Sequence, residues 1–499
     1  MLTRVSTAEL PRLRSAAGRW IVLATVLGSS VASLDATVVN IALPRIGEAL
    51  ETDIAGLQWT LNGYTLTLAS FILLGGSFGD RFGRRKVFVA GAVGFALASV
   101  LCGAAVTIEM LVAARVLQGV AGAMLTPGSL ALISASIDDR DRGAAIGLWS
   151  GFAGVSGALG PFVGGWLIDT AGWRSIFLIN VPLVLVVVLV SLRHVPESRD
   201  PNAAARLDIP GALVIAAALG ALTLGLIDMV PLLVGAGGLL LAAFVLIEVR
   251  SDHPLVPPAL FASRVFTAAN LVTLAVYAAL GGVFFLLVLQ LQLVAGYSPL
   301  LSGAATVPVT LLMLALSAPA GRWAQRHGPR LPMTLGPLIA AAGLMLLLRI
   351  GPDAVYMVDV LPGVLVFGLG LSVLVAPLTG AVLGAVPTTE AGIASGVNNA
   401  VARTAQLLAV AALPGLAGIS GSVDDPADFD AGFAVAMGIC AGLLLTGALL
   451  AAVLLRPPRR APSLDSVDCL PQCAISGPAL APEHAPGGGP TGRDHSGRT

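Results

Sequence analysis

An all-α polytopic membrane protein is the fold class this sequence predicts, on three observations: little charge, high hydropathy, and apolar runs of membrane length that recur along the chain. The 499 residues are 56% hydrophobic and 11% charged, with a mean hydropathy of +0.90. Soluble domains carry about 25% charged residues. This chain has too little polar surface to wet a globule of its size, and the bilayer becomes its solvent. Net charge is zero, so no electrostatic argument points to nucleic acid. Four cysteines are too few for a disulfide scaffold. Cys102 and Cys440 lie in apolar runs as small packing residues, and Cys469 and Cys473 lie in a polar tail.

Crossing the hydrocarbon core takes about 20 apolar residues. Runs near that length occupy 20–44, 58–79, 87–106, 109–134, 144–168, 175–192, 210–229, 231–248, 270–293, 301–321, 331–350, 357–384, 392–418 and 432–455. The first continues from Arg19 past signal-peptide length to Pro44 and reads as a membrane helix rather than a leader. The seventh and eighth are split by a turn from Asp228 to Pro231. Arginines set the orientation, because cytoplasmic loops collect positive charge. They precede the first run (Arg4, Arg12, Arg14, Arg19) and follow the second (Arg81, Arg84, Arg85, with Lys86) and fourth (Arg140, Arg142). They also follow the sixth (Arg193, Arg199, Arg206), eighth (Arg250, Arg264), tenth (Arg326, Arg330) and fourteenth (Arg456, Arg459, Arg460). Fourteen transmembrane helices with both termini cytoplasmic follow, although the loop from Pro387 to Ala391 has no positive charge. Residues 1–19 are then a cytoplasmic N-terminal segment. Residues 456–499, rich in Pro, Gly and Ser, are expected to be a disordered cytoplasmic tail.

One loop is written twice. Gly76-Ser-Phe-Gly-Asp80-Arg81-Phe-Gly83-Arg84-Arg85 follows the second run, and Gly321-Arg-Trp-Ala-Gln325-Arg326-His-Gly328-Pro329-Arg330 follows the tenth. A shift of 245 residues lays Gly76 on Gly321, Arg81 on Arg326, Gly83 on Gly328 and Arg85 on Arg330. Both loops join the second and third helices of a six-helix unit if 210–248 is an insertion of two helices. The expected halves are then 20–192 and 270–455, a parallel repeat of the kind a rocking transporter uses, with its site at the interface.

The first loop resembles the Gly-x-Leu-x-Asp-Arg-x-Gly-Arg-Arg signature of the major facilitator superfamily. Other segments resemble its fourteen-helix drug:proton antiporter family: Leu34-Asp-Ala-Thr-Val-Val-Asn-Ile-Ala-Leu-Pro44, Arg115-Val-Leu-Gln118-Gly119, Gly160-Pro-Phe-Val-Gly-Gly165 and Trp173-Arg-Ser-Ile-Phe-Leu-Ile-Asn-Val-Pro182. The likeness runs from about Trp20 to Leu455. It implies the major facilitator fold and export of drugs or secondary metabolites by proton antiport. It also implies that Asp80, with Gly76, Arg81, Gly83 and Arg84, latches a cytoplasmic gate across the two halves in the outward-facing state. The second copy has Gln325 where the first has Asp80, so such a latch is asymmetric. Gly157, Gly160, Pro161, Gly164 and Gly165 resemble the family's antiporter motif, implied to shape a seam that opens and closes. By physics alone, Pro161 lacks the N–H for the Gly157 carbonyl and the small residues allow a close helix approach.

Charges inside the membrane need a reason, since each costs at least ~2.5–3.5 kcal/mol at the bilayer centre. Asp35 lies about 22 Å along the first helix from Trp20, and Arg115 about 9 Å along the fourth from Glu109. The two helices run oppositely, so the residues sit at similar depth. Burial disfavours a carboxylate and a nearby guanidinium favours it, so movement between two conformations can load and release a proton. The bland alternative is a permanent ion pair anchoring the first helix. The proton reading is preferred, and the resemblance implies it for these positions. Gln118, one turn from Arg115, can hydrogen-bond either partner. Arg403 sits about 16 Å into the thirteenth helix. It either binds an anionic substrate group, partners a distant acid, or snorkels along a seam with Asn398, Asn399 and Gln406. Phe71, Trp149, Phe152, Phe162, Phe284 and Phe285 are candidates to line an apolar cavity.

No Gly-x-x-x-x-Gly-Lys-Ser/Thr loop is present, so ATP hydrolysis in this chain is not expected. Neither a cofactor, a metal nor an enzymatic activity is expected. The expected partners are a small-molecule substrate, protons and the lipid bilayer of a bacterial inner membrane, with the chain acting as a monomer. No acid lies within the ninth to eleventh helices, which favours a neutral, monocationic or anionic amphiphile over a dication. A dedicated uptake or lipid-linked precursor transporter on the same fold is the alternative, and a non-transporting membrane sensor a third reading.

Overall fold

The computed structural model describes residues 11–200, 207–251, 254–387, 390–419 and 426–455. The first ten residues, Arg206, loop residues 388–389 and the whole tail 456–499 lie outside the described residues, and with them Cys469 and Cys473 and the final arginines. The described chain forms fifteen α-helices: α1 (Ala16–Leu50), α2 (Ile54–Phe82), α3 (Arg84–Gly103), α4 (Ile108–Ser136), α5 (Asp139–Ala171), α6 (Ser175–Leu178), α7 (Asn180–His194), α8 (Ile209–Ile227), α9 (Pro231–Arg250), α10 (Arg264–Leu289), α11 (Pro299–His327), α12 (Arg330–Leu347), α13 (Leu361–Gly384), α14 (Ala391–Leu416) and α15 (Pro426–Leu454). Single π-helical turns extend α10 over Gln290–Val294 and introduce α13 over Tyr356–Val360.

Side-chain caps start the helices where short polar residues precede apolar runs. Ser15, Asp53, Thr107, Asp208, Ser263 and Ser298 each accept a backbone N–H from the first turn of α1, α2, α4, α8, α10 and α11. Helices outrun the apolar windows because nothing stops them at the membrane edge; α1 passes through Pro44 to Leu50. The expected single helix over 175–192 is broken at Ile179 into α6 and α7. Pro182 has no N–H to offer the Leu178 carbonyl, so the helical hydrogen-bond ladder is interrupted there.

Among the described residues, twelve spans are long and apolar enough to cross a membrane by length and composition, α6 with α7 counting as one. The two expected spans outside that set are helical, as α5 and α14. Glycines dilute the apolarity of α5, and Asn398, Asn399, Arg403 and Gln406 that of α14.

Helix packing falls into two groups with a hairpin beside them. In the first group α4 packs on α2 and α3, and α1 on α4, α5 and α7. In the second, α10 packs on α14 and α15, α12 on α13 and α15, and α11 on α13. The groups meet where α5 lies along α11 and α2 along α14. The hairpin α8–α9 rests through α8 on α2 and α14, and Leu219 packs with Ala69 and Leu407 there.

The duplicated loop is duplicated in geometry. Gly83 ends α2 and Gly328 ends α11, each with positive φ (118° and 87°) and each donating its N–H to the carbonyl four residues back. Such φ values favour glycine over any residue with a Cβ. Two residues on, Arg85 donates to the Val195 carbonyl just beyond α7, and Arg330 donates to the Ala452 carbonyl near the end of α15. Equivalent arginines thus tie the third helix of each group to the end of its last.

Candidate functional site

Asp35 and Arg115 meet inside the first helix group, 1% exposed each, with Arg115 Nη1 2.5 Å from Asp35 Oδ2. The sequence placed the two at similar depth, and the structure puts them in direct contact. Around the pair, α1 through α4 with α6 and α7 close a cage. Gln118 donates to Asp35 Oδ1 at 2.8 Å and accepts from Arg115 at 2.6 Å, so it bonds both partners. Asn180, at the start of α7, donates to the same Asp35 oxygen at 3.0 Å. Ser99 of α3 accepts from Gln118 and Asn180. Arg115 Nε donates to the Thr60 carbonyl at 3.1 Å, and its guanidinium lies over the Tyr64 ring, 4.5 Å from the centroid. A charge taken out of water needs several such partners, since an unpaired one costs several kcal/mol. The arrangement holds the Asp35 carboxyl group away from water, with every side-chain partner on it a donor and one of them a cation.

Three cage residues escaped the sequence reading: Tyr64, Ser99 and Asn180. Ser99 looked like any small polar residue in an apolar helix. Asn180 lies in the segment Trp173–Pro182, but nothing in its spacing pointed at α1. The usable signal is an amide at the first turn after a proline-induced break, where its side chain is free to face the bundle.

At the other end of α2, Asp80 Oδ1 accepts from Arg84 at 2.8 Å. The Asp200 N–H donates to the Asp80 carbonyl and the Arg84 N–H to that of Ser198. Glu197 accepts from the Arg85 N–H at 3.1 Å. The first loop is thus stapled to the segment after α7, within its own helix group. Arg81 is exposed, with its guanidinium over Phe82. Gly76 lies against Pro127 of α4.

The α5 glycines divide by face. Gly160 abuts Thr37 and Gly164 abuts Val38, both on α1. Gly165 lies against Pro299 and Leu300 at the start of α11, while Gly303 of α11 lies against the Pro161 carbonyl. A side chain at any of these would collide with backbone or a fixed β-branched neighbour. Gly157 has open space around its Cα. Four hydrogen bonds join the two groups among the described residues. Gln58 donates to the Val410 and Ala411 carbonyls, Gln292 to that of Ile41, and the Leu300 N–H to Asp169. All lie at the end where α1 turns into α2 and α10 into α11, opposite the Asp80 loop.

The weaker candidates separate. Arg403 is half-buried, donates to Gln406 at 3.2 Å and has no ion-pair partner among the described residues. Asn398 turns to Asn270 and Thr273 of α10, and Asn399 bonds its own helix at Ser395, so no continuous polar seam runs along α14. Phe152 lines an apolar trough of about 650 Å³ between α1 and α5, with Leu23, Leu27, Leu148 and Leu159, ending near Arg14 and Arg19. Trp149 donates to Ser29, and Phe285 is packed in the core.

The Major Facilitator Superfamily model matches residues 25–410. The puromycin resistance protein pur8 of Streptomyces alboniger is 36% identical, over 88% of this chain and 91% of that protein. The tetracenomycin C resistance and export protein of Streptomyces glaucescens is 34% identical, over 78% and 74%. The multidrug resistance protein Stp of Mycobacterium tuberculosis is 34% identical, over 76% and 72%. Among solved structures, an inward-facing bacterial homolog of the lysosomal transporter Spinster has a TM-score of 0.63 at 17% identity, over 88% of this chain and 97% of that one. A D-xylose–proton symporter gives 0.63 at 16%, over 88% and 98%, which speaks for the fold alone. With a helix bundle of this packing, a family match over most of its length and relatives that are antibiotic resistance and export proteins, the chain is a multi-pass membrane transporter of the major facilitator superfamily, not an enzyme.

Proposed function

We propose that the chain exports small amphiphilic drugs or secondary metabolites from a bacterial cell in exchange for protons, by alternating access. The observation that carries this reading is the Asp35–Arg115 pair, a carboxyl group held dry by one cation and two neutral amides. Proton entry at Asp35 releases Arg115 from its partner, and that change in charge balance is available to drive a helix movement. The membrane supplies about 2.3 kcal/mol per charge per 100 mV. Relatives named for resistance and export support the outward direction.

Fourteen crossings complete the proposal, with α5 and α14 spanning as well and the Asp80 loop on the cytoplasmic side. The four hydrogen bonds between helix groups then lie at the outer end, which supports a state closed outside. Opening there requires α5 to part from α11 and α2 from α14. Arg403, without a carboxylate, supports neutral, monocationic or anionic substrates over dications. The test is dye efflux from cells and proton release from everted vesicles. Asp35→Asn is expected to abolish proton-coupled efflux while the protein still folds, and normal coupled efflux by that variant would sink the carrier role.

A further inference from the structure

The cage around Asp35 is complete for one protonation state only. All three side chains on its carboxylate donate: Arg115 to Oδ2, Gln118 and Asn180 to Oδ1. A carboxylate is acceptor-only, but the neutral acid carries an O–H that needs an acceptor of its own. Two oxygens nearby are occupied. Gln118 Oε1 accepts from Arg115 and Cys102, and Ser99 Oγ accepts from both amides. The third is Asn180 Oδ1, which is buried, belongs to a residue 0% exposed, and has no hydrogen-bond partner. A buried orphan acceptor costs free energy and calls for an explanation.

We propose that Asn180 is the positioning residue for the proton-loaded state: when Asp35 takes a proton, the Asn180 amide turns over and its oxygen accepts the Asp35 O–H. This rests on the reading of Asp35 as the proton carrier and deepens it. Turning exchanges the two ends of the amide, so the orphan oxygen finds a donor and Nδ2 leaves both the carboxyl group and Ser99 Oγ. Because Asn180 opens α7, directly after the interruption at Ile179, its side chain links the charge of α1 to the start of α7. Other titratable groups facing the cage are Arg115 from α4, Tyr64 from α2 and Cys102 from α3. Arg403 of α14 acts on Tyr64 through space. α6 has no titratable residue, α5 carries its charges at its ends, and α7 has Arg193 and His194 in its last turn only.

The test uses the purified full chain in nanodiscs and infrared difference spectra between high and low pH, with Asp35→Asn assigning the carboxylic acid band. Asn180→Leu keeps the volume and removes the acceptor; Asn180→Ser keeps a hydroxyl and serves if the first variant folds poorly. The expected result is an Asp35 acid band at higher wavenumber in Asn180→Leu, partly restored in Asn180→Ser. Proton-driven efflux falls about tenfold, the worth of roughly one hydrogen bond. An acid band that Asn180→Leu leaves in place overturns the role of Asn180. A wild-type protein that couples efflux to protons without ever showing an Asp35 acid band overturns the carrier reading instead.

Discussion

The two helix groups share a loop geometry but not a core chemistry. Gly83 and Gly328 end corresponding helices with positive φ, and Arg85 and Arg330 tie corresponding helices together. Deeper in, the likeness stops. The 245-residue shift carries Asp35 to Leu280 and Arg115 to Val360, which are 6% and 0% exposed in the apolar core. The first group spends its centre on a charged cage, and the second packs its centre and keeps one arginine, Arg403, without a carboxylate. Repetition at the loops serves the mechanics that both halves need. In the proposed reading, this divergence in the core gives the proton to one half and leaves the other for substrate.

The largest effect that would sharpen this comparison comes from Arg115→Leu. It leaves Asp35 buried without its cation, which costs about 3–5 kcal/mol when one partner of a buried pair is removed. The thermal midpoint in detergent is expected to drop steeply and proton-driven efflux to vanish. Adding Asp35→Asn is expected to recover the stability and not the transport. An unchanged midpoint in Arg115→Leu would break the account of the cage. Next comes Leu280→Asp, which puts an acid at the counterpart of Asp35 with no cage around it. A charge there costs about 2.5–3.5 kcal/mol, and poor membrane insertion is the expected readout. Full expression and activity would show that the second core is less apolar than its packing implies.

Much of this was legible before the structure because charge in an apolar run is conspicuous. Asp35 and Arg115 could be placed at one depth from a helical rise alone, and Gln118 follows from a one-turn spacing. The α5 glycines were legible as a close-approach face, and the structure divides them between α1 and α11. Asn180 was not legible, since an amide beside a loop motif has no periodicity that names its partner. Gln58 was still further out of reach. Its acceptors are backbone carbonyls of α14, more than 350 residues away, and carbonyls leave no mark in a sequence. The break at Ile179 was readable in principle from Pro182, but the run of apolar residues hid it.

Arg403→Gln gives a smaller effect that depends on the substrate. If its charge meets an anionic group of the substrate, KM for an anionic substrate is expected to rise about tenfold, the scale of one charge-assisted hydrogen bond. KM for a neutral substrate is expected to stay as it is. Equal changes for both would make Arg403 a packing residue held by Gln406, and the second core would then have no chemical role to set against the first.

The smallest effect is also the most informative about how the groups move. Pro414 has no N–H for the Val410 carbonyl, which is therefore free inside α14. Gln58 Nε2 takes that carbonyl at 2.7 Å and the Ala411 carbonyl at 3.0 Å. Gln58→Ala removes two hydrogen bonds made across the groups and leaves both carbonyls to find water as the end opens. The expected loss is about 1–2 kcal/mol for the closed state alone. Accessibility of single cysteines placed around Thr52 and Gly418 to a membrane-impermeant thiol reagent measures it as a shift toward the open end. If closure depends instead on the glycine seam between α5 and α11, Gln58→Ala leaves the labelling unchanged and Gly165→Leu raises it. Labelling that responds to Gln58 places part of the outer gate on α2 and α14, where no motif in the sequence marks it.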